Sequence, residues 1–201
     1  MSPSFHFQDR PFGREAALLA ACTALLLLAL LGPAVAQPAG HHHFADGRTL
    51  WGIPCALDVL SNLPFALAGL SGLVQLWRLP PRALDNMERA MGALFFAGLL
   101  LTAAGSAWYH LAPDDAGLAV DRQAMAVAFA GLLGLAGARV SGRAAAALGL
   151  GILGLGPLAV HAWAATGNVL PWAVLQFGGL LLLAGLALLP RGGALPVAGS
   201  R

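Results

Sequence analysis

GSAWYHLAPDDAGLAVDRQAM, residues 105–125, divides two long apolar runs and gathers Ser106, His110, Asp114, Asp115, Asp121 and Arg122 in a chain that is only 10% charged. Pro113-Asp114-Asp115 at its centre is a turn signal, so the flanking runs read as two helices doubled back on each other. The chain has 201 residues, of which 58% are hydrophobic, and a mean hydropathy of +0.75. Soluble domains use about 45–50% apolar residues. A soluble core would leave several of these runs uncovered, whereas a helical bundle in lipid has no such difficulty.

A helix needs ~20 apolar residues to cross the hydrocarbon core, and six stretches qualify, at about 15–34, 55–77, 90–110, 119–138, 144–164 and 170–190. The expected fold is therefore an all-α, polytopic transmembrane helical bundle with about six spans. Residues 1–36 form an N-terminal transmembrane helix or signal-like segment, 37–190 the membrane domain and 191–201 a short tail. The signal-like alternative rests on Arg10 and Arg14, the apolar Ala16 to Leu31, and Ala34-Val35-Ala36 before Gln37. Residue 41 onward begins on the same side in either case.

Basic residues set the orientation. The eleven are all Arg, and alternate threading puts Arg10, Arg14, Arg78, Arg82, Arg89, Arg139, Arg143, Arg191 and Arg201 on one side, with Arg48 and Arg122 on the other. By the positive-inside rule both termini face the cytoplasm, in a bacterial inner membrane by compositional bias, and the polar stretch faces away from it. No basic patch with interleaved aromatics appears, which excludes nucleic acid as a partner. Cys22 and Cys55 form no disulfide framework.

Ser106 and His110 are one helical turn apart near the outer end of the third span, so they share a face. Asp121 begins the next span eleven residues on, across a short turn, and all three can meet. Ionisable groups at membrane depth are costly and usually face a bundle interior or wet cavity, which makes these the candidate site. Asp114 and Asp115 read as solvated turn residues, and Tyr109 and Trp108 as interfacial anchors. A second polar stretch, HHHFADGRTLWGIPCALDVLSNLPFA (41–66), lies at the same surface. It adds Asp46 in a loop and Asp58, Ser61 and Asn62 at helical spacing, which either support the site or bond between helices. His41, His42 and His43 read as surface loop rather than metal ligands, and His161 as an interfacial residue.

One His, one Asp and one Ser permit two mechanisms. A metal hydrolase would use His110 as zinc ligand, Asp121 to orient or deprotonate the metal's water and Ser106 to hydrogen-bond the oxyanion. A serine hydrolase would use Ser106 as nucleophile, but one-turn spacing to His110 and the lack of G-x-S-x-G disfavour it. A catalytic zinc takes three protein ligands, and the sequence contains neither H-E-x-x-H nor HxxxH.

Read as G-S-x-x-Y-H-L-x-P-x-D followed by D-R-x-x-M, the opening stretch resembles the signature of the alkaline ceramidase family. That family belongs to a superfamily of membrane hydrolases that includes the progestin and adiponectin receptors. FADGRTLWGIPCALDVLSNLPF resembles the corresponding segment of its bacterial members, and the likeness covers about residues 40 to 190. It implies a seven-helix core, here preceded by an N-terminal helix, with an intramembrane zinc that cleaves the ceramide amide to sphingoid base and fatty acid. On this likeness His110 is a zinc ligand, Ser106 and Asp121 complete the catalytic site, and Asp46, Asp58, Ser61, Asn62, Tyr109 and Arg122 lie around it. The family's calcium site is not expected, because Cys55 stands where acidic or amide side chains are usual. Its other two zinc ligands belong to an HxxxH on a last helix, about two helices beyond the end of this sequence. The resemblance therefore implies either a zinc-dependent amidohydrolase of membrane lipids or a non-catalytic, truncated member acting as a lipid-binding or scaffold protein.

Overall fold

The computed structural model describes residues 11–189, and the expected tail 191–201 lies outside them. The described chain is an all-α bundle with six helices long and apolar enough to cross a membrane. Its helices are α1 (Pro11–Leu31), α2 (Ala56–Leu60), α3 (Leu63–Arg78), α4 (Asn86–Leu111), α5 (Asp115–Gly137), α6 (Gly142–Thr166), α7 (Leu170–Ala173) and α8 (Gly179–Leu188), with a π-helical segment Val174–Gly178 joining the last two. Two of the six spans are interrupted. The second breaks between α2 and α3, where the Ser61 hydroxyl donates to the Asp58 carbonyl at 2.6 Å and Asn62 Nδ2 donates to the same carbonyl at 3.1 Å. The sixth passes through the π-helical segment, where Gly178 admits the Leu25 side chain of α1.

Helix ends explain the turns. Asp85 and Glu88 form a reciprocal capping box at the start of α4, with bonds of 2.8 and 3.2 Å. Asp114 caps α5 by accepting from the Gly117 N–H at 2.7 Å, and Ser141 caps α6 by accepting from Ala144 at 3.0 Å. Such caps satisfy backbone donors that helical geometry leaves unpaired, a requirement that tightens near lipid. At the opposite end of α6, Gly167 takes φ of 72° and donates to the Trp163 carbonyl, a left-handed stop that favours glycine. Asp114 and Asp115 are thus a cap and a first helical residue, and α5 starts four residues before the expected 119 because the cap belongs to the helix.

α5 is the central helix, packed against α4 on one side and α6 on the other, with α3 outside α4. The α4–α5 contact is close because Gly98 faces the Val127–Ala128 backbone and Gly131 faces the Leu94–Phe95 backbone. Met91 fills the junction beside Gly134 and Gly149. Without a hydrophobic drive between helices in lipid, such backbone approach and van der Waals packing carry the association. α1 is peripheral: its membrane-length stretch has no buried residue, and it leans on the sixth span through Leu25 and through Gly32 against Leu170.

Following the chain, residues 32–55, 112–114 and 167–169 come to one end of the bundle, and 79–85 and 138–141 to the other. At the latter end Arg89 donates to the Leu76 and Pro80 carbonyls at 2.7 and 2.8 Å, and Arg139 donates to the Leu189 carbonyl at 2.5 Å. There the arginines serve as caps for helix C-termini.

A Cβ at position 131 would overlap the Phe95 backbone, so Gly131→Ala should destabilise the bundle by about 1–3 kcal/mol. Gly154 meets nothing within 4 Å, and Gly154→Ala should stabilise by about 0.5–1 kcal/mol through helix propensity. Thermal unfolding of the two variants in detergent would check both signs; equal shifts would refute the close approach.

Candidate functional site

α4 carries Ser106 and His110 to the end of the bundle that bears residues 32–55, and α5 brings Asp121 alongside. Gly105 is why they are close: a Cβ there would stand 3.4 Å from the Asp121 Cα and 3.3 Å from the Ala124 Cβ. Ser106 lies beside the Asp121 carboxylate, whose Oδ1 is buried without a hydrogen-bond partner. His110 Nδ1 is also buried and unpartnered. The carboxylate acting on the His110 ring electrostatically is that of Asp58. His110 and Asp121 themselves share no hydrogen bond or ion pair among the described residues, so Ser106 and Asp121 form one half of the site and His110 with Asp58 the other.

Residues 32–55 lie across this end as a cover, tied at several points. The Val35 N–H donates to Asn168 Oδ1 at 2.9 Å and the Val169 N–H to the Val35 carbonyl at 2.8 Å, stitching the cover to the turn between α6 and α7. Phe44 packs on both Tyr109 and His110, with ring centroids 5.3 and 4.4 Å apart. His42 bridges Asp115 and the buried Tyr109. With Nε2–H donating to Asp115 Oδ1 at 3.1 Å, Nδ1 accepts from the Tyr109 hydroxyl at 3.0 Å. The histidine triplet is therefore not simply surface loop: His41 and His43 are exposed, but His42 is half-buried and anchors the cover. His161 is exposed on α6.

Asp46 braces the second half of the cover. It is buried, accepts from the Arg48 Nε at 2.7 Å and from the Leu57 N–H at 2.9 Å, and so caps the short α2. The Arg48 guanidinium, followed by the Leu57 N–H, holds its carboxyl below the ordinary 3.8. Ser61 and Asn62, expected either beside the site or between helices, spend their hydrogen bonds on carbonyls of their own segment, at Asp58 and Val59. Neither donates across helices.

Arg122, one residue beyond Asp121, is buried with its guanidinium carbon 4.2 Å from the Trp163 ring centroid and 5.8 Å from that of Trp172. Its Nη2 donates to Gln37 Oε1 at 2.8 Å. The sequence pattern put His42 and Phe44 at this surface without giving them a role, and offered little hint of Gln37, Trp163 and Trp172 as members of this end. One signal was present: alternate threading already put both tryptophans, flanking Gly167, at the same membrane surface as Arg122, where a cation–π pairing is possible.

A catalytic zinc takes three protein ligands, and among the described residues no group of three His, Cys, Asp or Glu side chains could hold a metal ion. His110 Nδ1 and Asp121 Oδ1 are open donors, but the residues present do not make up that zinc site by themselves. In comparisons with known protein families, characterised proteins and solved structures, nothing matches this chain.

Asp46 gives the cover a defined response to acid. A group held below its ordinary value contributes stability that is complete above the unfolded pKa, here 3.8, and is lost as pH falls through the folded value. The Leu57 amide should thus lose hydrogen-exchange protection as pH falls below 3.8, and Asp46→Ala, which removes the acceptor, should lose it at neutral pH. Unchanged protection in Asp46→Ala would show that the cap does not hold the cover.

Proposed function

We propose that this chain is an integral membrane hydrolase of lipid amides, resembling the alkaline ceramidases, with its site at the non-cytoplasmic surface of a bacterial inner membrane. The observation that carries the reading is the buried Asp121, with an unpartnered carboxylate oxygen and the half-buried Ser106 beside it, set in a sequence frame that resembles the ceramidase signature. Nine arginines against two support the orientation, with both termini cytoplasmic.

The side chains themselves supply proton handling and oxyanion stabilisation. Asp121 accepts a proton from water as the water oxygen attacks the amide carbon, and the Ser106 hydroxyl donates to the oxyanion that forms. Collapse breaks the C–N bond, Asp121 returns the proton to the leaving amine, and the products are a fatty acid and a sphingoid base. Zinc, with His110 as a ligand, belongs to the reading from resemblance, and it requires ligands beyond the set described. Phe44 and Tyr109 pack against the ring of His110, with centroids 4.4 and 5.4 Å away, which gives it an apolar surround suited to a reaction at the edge of lipid.

A second reading, a lipid-binding protein without catalysis, is favoured by a different feature. A cavity of about 450 Å³ lies between α1, α6 and the sixth span, walled by Leu25, Leu148, Ile152, Leu155 and Leu182 among others. Its walls are apolar and it holds none of the proposed catalytic groups.

The two readings separate in one assay. Purified full chain with added zinc should release fatty acid from ceramide, and Asp121→Asn and Ser106→Ala should each lower kcat by about 10²–10³-fold. Folded protein that retains photo-crosslinkable ceramide yet releases no fatty acid would overturn catalysis in favour of binding.

A further inference from the structure

Arg122 is 5% exposed and lies ~10 Å along α5 from its first residue at the helical rise per residue. A guanidinium so placed is costly unless anionic oxygens meet its donors. Among the described residues none does. Asp121 and Asp115 act on it electrostatically, but neither forms an ion pair with it. Trp163 and Trp172 cover its faces, which is favourable for a cation but satisfies no N–H. Along its edge, Nη2 donates to the neutral amide oxygen of Gln37 and Nη1 is buried with no partner at all.

We propose that Arg122 is the floor of a buried anion seat that takes the oxygens of an anionic amphiphile, a fatty carboxylate or a lipid phosphate, and that Gln37 Oε1, which accepts from Arg122 Nη2, is displaced from part of that seat when the anion binds. Arginine presents its donors as a planar fork, so two oxygens of one carboxylate or phosphate can accept from Nη1 and Nη2 together. Only one side chain has to move, and Gln37 is half-buried on the cover rather than on a helix. The tryptophan faces then flank the first carbons of the tail. His41 sits in electrostatic range of Arg122 and adds to the attraction when protonated. In a lipid amide hydrolase the fitting anion is the released fatty acid. That last assignment rests on the hydrolase reading, whereas the seat does not.

Tryptophan emission of the full chain in a neutral detergent, titrated with oleate, oleyl alcohol and dioleoyl phosphatidate, tests the seat without reading hydrolysis. Oleate or phosphatidate should change the emission saturably, and oleyl alcohol, with the same tail and no charge, should not. Trp163→Phe should remove most of the change, Arg122→Gln should weaken binding at least tenfold, and Gln37→Ala should tighten it. Tighter oleate identifies a fatty carboxylate as the ligand and tighter phosphatidate a phospholipid headgroup, and both support the seat. Equal binding of oleyl alcohol, or a response that survives in Trp163→Phe and Arg122→Gln, overturns it. Should Arg122→Gln fail to fold, the oleate against oleyl alcohol comparison and Gln37→Ala decide on their own. A chain that binds oleate but releases no fatty acid from ceramide refutes the hydrolase reading and keeps the seat.

Discussion

The close approach of α4 and α5 is the contact on which the rest of the molecule depends. Three glycines on these helices, Gly98, Gly105 and Gly131, let backbone come against backbone or against small side chains. Helices in lipid gain nothing from hiding apolar surface from one another, so packing at this distance is what holds them in register. That register sets the chemistry, because it is at Gly105 that the Asp121 backbone comes into contact with α4. A wider interhelical distance would leave the carboxylate facing hydrocarbon, where it is costly.

The same constraint explains the cover. Helix ends and buried polar side chains near lipid must find partners within the protein. Residues 32–55 supply many of them: Asp46 takes the Leu57 N–H, His42 takes Tyr109 and Asp115, and Gln37 takes one donor of Arg122. What is left over is informative. Asp121 Oδ1, His110 Nδ1 and Arg122 Nη1 are all buried without partners, and all three lie on the helix ends beneath or beside the cover. Buried polar atoms are usually satisfied, and three of the five exceptions among the described residues gather at this end of the bundle, which is why both proposals are placed there. The proposed lipid amide chemistry and the proposed anion seat use different members of that cluster.

Polar spacing was legible where the partners are local. Ser106 and His110 share a face because helical geometry fixes it, and Asp121 is returned to them by a turn that Pro113 and Asp114 announce. At Ser61 and Asn62 the i, i+3 and i+4 relation shows in the broken junction of α2 and α3, where both donate to carbonyls of their own segment. Spacing was silent on His42, because three adjacent histidines carry no periodicity and only a partner 67 residues away gives one of them a role.

The sequence by itself determined that this is an all-α membrane bundle, roughly where its six spans run, and which turn brings Ser106, His110 and Asp121 to one end. Those features follow from run length, hydropathy and breakers, all properties of neighbouring residues. Tertiary structure alone decided that Ser106 rather than His110 lies beside Asp121, that Arg122 is caged by Trp163 and Trp172, and that residues 32–55 close over the site. Each of these depends on how closely and at what rotation separate helices pack, and no local stretch of sequence encodes the distance between two helix axes.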